Sequence, residues 1–218
     1  MGYSIAIDGP AGAGKSTIAK IVAKELGFIY VDTGAMYRTI ALACNREGIS
    51  AKEHEKVAEK CESVDVSLGY EDGTQKVYLN GEDVSTLIRQ EEIGNMTSAI
   101  AVYPEVRKKM VEMQKKFAKE NNVVMDGRDI GTAVLPNADL KIYLTASSRT
   151  RAMRRYKELV EKGEQCNVDA IEADIKDRDY RDMHREVSPL CQAEDAILVD
   201  SSDMSIEQVV EKITGLVQ

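Results

Sequence analysis

The segment from residue 8 to residue 16 reads DGPAGAGKS, and it fits the pattern G-x-x-x-x-G-K-[ST] through Gly9, Gly14, Lys15 and Ser16. The apolar run 3–8 before it predicts a short buried strand, and residues 16–26 after it carry apolar side chains at helical spacing. A loop between a strand and the amino end of a helix presents unpaired N–H groups and a positive helix dipole, which together attract a polyanion. The sequence therefore predicts a phosphate-binding loop.

The residue types in this loop suit a nucleotide polyphosphate. Glycines let the backbone wrap closely around phosphate oxygens, and Lys15 is placed to reach the β- and γ-phosphates. The Ser16 hydroxyl is a suitable ligand for Mg²⁺. We therefore expect the chain to bind ATP or GTP.

Length, charge and cysteine usage narrow the class of protein. A chain of 218 residues suits one α/β domain with room for an insertion. The net charge of −8 argues against broad binding to a nucleic-acid backbone. The four cysteines are far apart and form no C-x-x-C motif, which favours free thiols in a reducing cytoplasm over a zinc cluster or a disulfide framework. The opening residues predict no secretory leader, and no apolar run reaches membrane-spanning length.

The order of predicted elements indicates the architecture. Short apolar runs predict core strands at 3–8, 28–32, 123–125, 140–145 and 196–199. Helical periodicity covers about 16–26, 34–45, 52–61, 85–119, 148–162, 169–185 and 205–217. Alternating residues around an Asn80-Gly81 turn predict a small antiparallel sheet over about 63–84. Five strands separated by helices predict a parallel sheet with helices on both faces, and ligands bind such a sheet at the carboxyl ends of its strands.

Charged residues follow two of these predicted strand ends. Asp32 leaves the second strand, Thr33 is placed to cap the next helix, and Arg38 lies one turn inside that helix. The predicted strand at 123–125 is followed by Asp126, a carboxylate suited to Mg²⁺ or its waters, and then by the charged pair Arg128 and Asp129. Charges concentrated at a strand end are costly unless a ligand uses them. The alternative for the second strand is an ordinary capped helix with a solvated arginine.

Arginines also gather on two later helices, at positions 149, 151, 154 and 155, and at positions 178, 181 and 185. A charge-rich helix is often only a solvated face, and the neighbouring Asp174, Asp177 and Asp179 support that alternative for part of the second helix. The planar guanidinium group, however, suits bidentate recognition of phosphate better than an ammonium group does. The clustering therefore favours an anion site.

A second phosphate beside a nucleotide would explain the number of arginines. Two unit charges about 4 Å apart repel by about 4 kcal/mol at an effective dielectric constant near 20, so fixed cations are needed to offset the repulsion. The sequence offers no obvious general base, because we expect His54 and His184 to be surface residues. A phosphate acceptor needs no base, since its oxygens are ionised near neutral pH. The residues thus favour transfer of a phosphoryl group to another phosphate.

Taken together, these segments resemble the bacterial cytidylate kinases, a branch of the nucleoside monophosphate kinases, over essentially the whole chain. The matching segments are DGPAGAGKST at 8–17, DTGAMYR at 32–38, DGRDIGT at 126–132, KIYLTASSRTRAMRR at 141–155 and IKDRDYRDMHREVSPL at 175–190. The resemblance implies a P-loop fold that converts CMP, and also dCMP, to the diphosphate with Mg-ATP. It further implies a core of about 1–37, 101–150 and 166–218, an acceptor-binding insert of about 38–100, and a mobile lid of about 151–165.

The resemblance also implies roles for individual residues. The ATP phosphate cradle would comprise Gly9, Gly12, Ala13, Gly14, Lys15, Ser16 and Thr17, with Arg151 in the lid. The acceptor's phosphate would be held by Thr33, Arg38, Arg128 and Arg185, its cytosine by Ser98, Arg107 and Asp129, and its sugar by Arg178 and Asp182. Lys15, Arg128, Arg154 and Arg185 would assist the transfer itself, and the metal would be bound by Ser16 and, through water, by Asp32. Without the resemblance, Ser98 and Arg107 would be predicted as surface residues.

Three alternatives compete with this interpretation. A kinase for another small acceptor, such as a different nucleotide or a sugar acid, would share the fold. A GTP-hydrolysing switch would carry an N-K-x-D motif, which the sequence lacks. A nucleic-acid-binding ATPase fits poorly with the acidic net charge. We expect small-molecule substrates, no nucleic-acid or membrane partner, a monomer and a cytoplasmic location.

Overall fold

A parallel β-sheet lies at the centre of the computed structural model, which describes residues 2–71 and 74–217. Its strands are β1 (Ser4–Asp8), β2 (Ile29–Asp32), β6 (Val123–Gly127), β7 (Leu140–Thr145) and β8 (Ile197–Asp200). They lie in the order β2-β6-β1-β7-β8, and each neighbouring pair is parallel. The predicted five-stranded parallel sheet is confirmed.

Helices cover both faces of this sheet. Their bounds are α1 (Lys15–Leu26), α2 (Thr33–Arg46), α3 (His54–Ser63), α4 (Glu91–Ile100), α5 (Pro104–Glu120), α6 (Ser148–Glu161), α7 (Val168–His184) and α8 (Ile206–Thr214). Alternate residues of β1 point to opposite faces, so Ile5 and Ile7 pack with α1 and α8, whereas Ala6 packs with α2. Within the described ranges, no helix combines the length and the apolar character needed to cross a bilayer.

The long helical stretch predicted over 85–119 is divided in the structure, so that prediction is wrong in its continuity. A 3₁₀ turn (Leu87–Arg89) precedes α4, and α5 starts afresh at Pro104. Proline lacks a backbone N–H and restricts the preceding residue to extended conformations, so it suits the first position of a new helix. Tyr103, at φ −70° and ψ 128°, has the extended backbone that this requires.

A second, smaller sheet confirms the predicted antiparallel insert. It contains β3 (Val66–Glu71), β4 (Thr74–Leu79) and β5 (Glu82–Asp83) in sequence order. Asn80 and Gly81 form the turn between β4 and β5, with φ angles of 50° and 85°. A tight hairpin turn of this type needs positive φ at both central residues.

The topology gathers the charged strand ends along one edge of the central sheet. Asp8 pairs in register with Gly127, and Asp32 pairs with Asp126. The residues that leave β1, β2 and β6 are therefore neighbours, although about a hundred residues separate β6 from the other two strands in the sequence. The candidate site is built on this edge.

Candidate active site

The loop between β1 and α1 has the geometry of a phosphate cradle. Gly9 has φ 149°, and a Cβ added there would lie 1.9 Å from the Leu144 carbonyl oxygen, so only glycine fits. Gly14 has φ 85° and stands directly before α1, where the free N–H groups of the helix begin. The Lys15 ammonium group folds back over the loop and donates to the Pro10 carbonyl at 2.7 Å. The loop is thus shaped in advance for a polyphosphate.

Lys15 is buried among charged groups of both signs. Burial lowers the pKa of Lys15 well below its usual value, and the nearby charge of Arg128 lowers it further, while Asp126 and Asp8 raise it. A bound anion would favour the charged form of the amine, so the site is electrostatically prepared for a phosphate group.

A buried carboxylate at the end of β6 faces the first turn of α1. Ser16 donates to one oxygen of Asp126 at 2.8 Å, and the Tyr30 hydroxyl donates to the other at 2.9 Å. Burial and the nearby charge of Asp32 raise the pKa of Asp126. A hydroxyl and a carboxylate are oxygen donors of the kind that Mg²⁺ accepts, so Ser16 and Asp126 fit that ion.

The start of α2 differs from the sequence prediction. Thr33 was expected to cap this helix, but Asp32 does so by accepting from the Ala35 N–H at 2.9 Å. Thr33 instead donates to the Asp126 carbonyl at 2.7 Å, which joins β2 to β6. The second oxygen of Asp32 pairs with Arg38 at 2.9 Å. Both oxygens of Asp32 are therefore engaged, whereas Asp126 is the carboxylate that contacts Ser16.

One cleft of about 740 Å³ connects the phosphate loop to the predicted acceptor residues. Its lining includes the residues predicted for the phosphate loop from Gly12 to Thr17, and Asp32, Thr33, Arg38, Ser98, Arg107, Arg128, Asp129, Arg154, Arg178, Asp182 and Arg185. Of the predicted site residues, the lining leaves out Gly9, which packs on β7, and Arg151. Residues predicted to bind ATP and residues predicted to bind the acceptor thus line the same cleft.

The guanidinium groups of Arg38 and Arg185, both in this cleft, have unused hydrogen-bonding capacity. In the part of the chain that the structure describes, the Arg38 Nε and one terminal nitrogen of Arg185 are buried without a hydrogen-bond partner. Burial lowers the pKa of Arg185, and the neighbouring Arg107 and Arg128 lower it further, although Asp129 acts in the opposite direction. Buried donors beside like charges are unfavourable unless an anion binds them. This arrangement is suited to a phosphate group.

The wall next to these arginines carries a buried ion pair. Arg107 donates to Asp129, and only 6% and 7% of the two residues are exposed. Ser98 and Thr97 line the same cleft, as does Tyr37, whose pKa burial raises to about 12. The sequence alone offered no signal for Thr97 or Tyr37, because each reads as an ordinary helical residue.

The arginines of α6 and α7 have several different environments. Arg151 is buried, donates to the Ala146 and Ala11 carbonyls at 2.9 Å each, and pairs with Asp179 at 2.6 Å. It thus supports the phosphate loop from behind. Exposed pairs of the form expected for a solvated face are Arg149 with Asp169, Arg155 with Glu158, and Arg181 with Asp177.

Asp182, on α7, accepts a hydrogen bond from the Nε of Arg128 at 3.0 Å. This bond ties α7 to the loop after β6. Arg178 and Asp182 both still face the cleft.

The far end of the cleft lies beyond the phosphate loop and was not predicted. It is lined by Ser201, Met204, Ser205, Ile206 and Val209 after β8, and by Arg154 and Glu158 from α6. Arg154 donates to the Ser201 carbonyl at 2.7 Å, which joins these two walls. Polar groups with an apolar floor suit a planar base. No motif marks this segment in the sequence.

A loop that cradles one polyphosphate, facing a separate cluster of cations for a second anion, is the arrangement of a P-loop phosphotransferase, and the chain has that fold and that site. The family model described as cytidylate kinase matches residues 5–218. The chain therefore belongs to the cytidylate kinase family, which confirms the resemblance that the sequence motifs indicated.

Similar proteins agree with this assignment. A cytidylate kinase of Leuconostoc mesenteroides is 49% identical over 216 residues, which cover 99% of this chain and 96% of that protein. A cytidylate kinase of Caldicellulosiruptor bescii is 50% identical over 213 residues, covering 98% of this chain and 94% of that protein. The crystal structure of an uncharacterized protein from Eubacterium ventriosum aligns with a TM-score of 0.53 at 12% identity, covering 99% of this chain and 97% of that chain, and shares the fold alone.

Proposed function

We propose that the chain transfers the γ-phosphoryl group of ATP to the phosphate of CMP or dCMP, forming ADP and CDP or dCDP. The observation that carries this proposal is the convergence of guanidinium groups, with buried and unpartnered nitrogens, on the cleft that also contains the phosphate loop. The names of the similar proteins support a nucleotide with cytosine as its base for the acceptor.

The acceptor's phosphate binds Thr33, Arg38, Arg128 and Arg185 in this proposal. Their positive charge offsets the repulsion between the acceptor and ATP and stabilises the phosphoryl group as it moves. No side chain has to remove a proton, because the attacking phosphate oxygen is already ionised. The exposed positions of His54 and His184 are consistent with a reaction that uses neither as a base.

The base of the acceptor faces Ser98, Arg107 and Asp129. Cytosine has an amino group that donates and N3 and O2 atoms that accept. A carboxylate beside a guanidinium group complements this pattern, whereas the carbonyl at the corresponding position of uracil would face the carboxylate unfavourably. Arg178 and Asp182 are assigned to the sugar, where Asp182 is already held by Arg128.

The donor nucleotide occupies the phosphate loop from Gly9 to Thr17, with its base toward the Ser201–Val209 wall. Lys15 binds the β- and γ-phosphates, and Arg154 approaches them from α6. Mg²⁺, when bound, supplies further neutralisation of the phosphate charge. Ser16 and Asp126 would hold it, with Asp32 acting through water.

The division of the chain into core, insert and lid follows the same proposal. Residues 38–100 form the insert that binds the acceptor, and residues 151–165 form the lid that closes over ATP to exclude water. Arg151 would take part indirectly, since it supports the carbonyl of Ala11 in the phosphate loop. The monomeric state and the cytoplasmic location stay predictions.

The test measures ADP formation by the purified protein with Mg-ATP and each of CMP, dCMP, UMP, AMP and GMP. We expect rapid turnover with CMP and dCMP, slower turnover with UMP, and rates near background with the purine nucleotides. Equal rates on all five acceptors would contradict the proposal.

A variant pair tests the base-reading residues separately. Asp129→Asn removes the charge from a buried carboxylate that contacts Arg107, so kcat/KM for CMP should fall about 10- to 100-fold and the preference for CMP over UMP should narrow. Glu82→Gln makes the same chemical change in the exposed pair with Arg46 and serves as the control. An unchanged CMP-to-UMP ratio in Asp129→Asn would refute the role of Asp129.

A further inference from the structure

The edge strand β2 is held by side chains of the small sheet. β2 is the outer strand of the central sheet, with β6 on one side only. On its free side, the Tyr30 carbonyl accepts from the Tyr70 hydroxyl at 3.0 Å. The Asp32 N–H donates to the Oε1 atom of Gln75 at 2.7 Å. Two side chains thus replace the missing neighbour strand.

These two side chains come from one cross-strand pair. Tyr70 on β3 and Gln75 on β4 are opposite each other in the register of the small sheet. The Nε2 atom of Gln75 also lies 3.5 Å from the Asp32 carbonyl, so its amide faces both groups of the same residue. The small sheet therefore contacts β2 at two points, two residues apart.

The contact with Gln75 lies at the active site. Asp32 uses one carboxylate oxygen to cap α2 and the other to pair with Arg38 at 2.9 Å. Arg89, from the turn before α4, reaches that second oxygen at 3.2 Å. The backbone of Asp32 is thus set by Gln75, and its carboxylate in turn sets the direction of Arg38. The buried Nε of Arg38 has no partner and is available to an anion.

We propose that Gln75 is a positioning residue for the phosphoryl-transfer reaction, because it fixes Asp32 and thereby the arginine that binds the acceptor's phosphate. This inference rests on the proposed role of Arg38. It makes the small antiparallel sheet part of the acceptor site, although none of the described residues of that sheet lines the cleft.

The physical consequence concerns the acceptor rather than ATP. Without the amide of Gln75, the Asp32 N–H has to bind water, and the end of β2 loses the contact that defines its position. The Asp32–Arg38 pair then samples more orientations, and the acceptor's phosphate must reorder it on binding. The phosphate loop has its own contacts through Pro10 and Ala11, and Asp32 would reach the metal only through water, so the effect on ATP is smaller than the effect on the acceptor.

The test compares two variants that each remove a hydrogen bond to the same strand. Gln75→Leu removes the contact at Asp32, and Tyr70→Phe removes the contact at the backbone carbonyl of Tyr30, two residues earlier on the same strand. If Gln75 had only a structural role, both variants would show a similar lowering of the melting temperature and similar KM values for CMP and ATP. We expect Gln75→Leu to raise KM for CMP about five-fold, with KM for ATP changed less than about two-fold, and Tyr70→Phe to change neither by more than about two-fold.

The outcomes separate this inference from the proposed function. Equal KM values for CMP in Gln75→Leu and Tyr70→Phe overturn the inference, as does a rise in KM for ATP that matches the rise for CMP. Arg38→Met should raise KM for CMP more strongly than either. If Arg38→Met leaves KM for CMP unchanged, the proposed acceptor site is itself wrong. Gln75→Met, which keeps a flexible chain of similar length, replaces Gln75→Leu if that variant folds poorly.

Discussion

Asp8 provides a sharp test of how burial and hydrogen bonding compete in this site. It is the last residue of β1, and only 5% of it is exposed. Its two oxygens accept from the Ile130 and Gly131 N–H groups at 2.8 and 2.7 Å. These bonds hold the loop that carries Arg128 and Asp129 against the phosphate loop. We predict that Asp8→Asn, which keeps the size but removes the charge, changes the pH dependence of stability.

The magnitude follows from the pKa of this carboxyl group. Burial raises the pKa of Asp8 from its usual 3.8 to about 6, and Asp129 adds to the rise, while the two N–H donors and Lys15 oppose it. Because the folded state then binds the proton more tightly than the unfolded state, the contribution of Asp8 to stability decreases as pH rises from about 4 to about 6. At about 1.4 kcal/mol per pH unit, the full change is about 3 kcal/mol.

The assay is urea unfolding of the wild-type protein and Asp8→Asn at intervals between pH 4 and pH 7.5. Other carboxylates titrate in both proteins, so the difference between the two free energies of unfolding isolates Asp8. We expect the wild type to lose about 3 kcal/mol relative to the variant from pH 4 to pH 7, and no further change above. A difference independent of pH would refute the reasoning. If the wild type instead gains stability relative to the variant as pH rises, the N–H donors outweigh burial.

Two other substitutions test contacts that support the site. Arg151→Met should lower the free energy of unfolding by about 3–5 kcal/mol, because it leaves the largely enclosed carboxylate of Asp179 without its partner. It should also raise KM for ATP by freeing the Ala11 carbonyl. A loss below about 1 kcal/mol in urea unfolding would contradict this. Lys109→Met removes the ammonium group that caps the carboxyl end of α3 and should lower the free energy of unfolding by about 1–2 kcal/mol in the same assay. Lys108 is exposed, so Lys108→Met is the control and should change the free energy of unfolding by less than about 0.5 kcal/mol.

The central sheet could be predicted because buried parallel strands are continuous apolar runs. LKIYLT at 140–145 coincides with β7, and the ends of the other core strands differ from prediction by at most two residues. The helical stretch over 85–119 was harder, since apolar spacing persists across the break. The proline at 104 was the available signal for a break there, but the apolar periodicity continues across it and predicts one uninterrupted helix.

The candidate site was predictable where residues directly follow a strand, because parallel topology brings all such positions to one edge. It was not predictable where a side chain acts across the fold. Tyr30 reads as a core aromatic in β2, yet its hydroxyl donates to Asp126 at 2.9 Å. The wall formed by Met204 and Ile206 lies in a segment without any motif, and only its position beside the phosphate loop reveals it.

The arginines show most clearly what a linear pattern leaves open. Arg151 and Arg38 are the same residue type, and both reach the site from the first turns of a helix. Arg151 meets Asp179, 28 positions away in the sequence, and its charge is neutralised inside the protein. Arg38 shares its carboxylate partner with Arg89 and keeps a buried nitrogen free. Whether an arginine supports the loop or binds the substrate is therefore decided by the carboxylates that folding brings within reach, and not by the spacing of the arginines themselves.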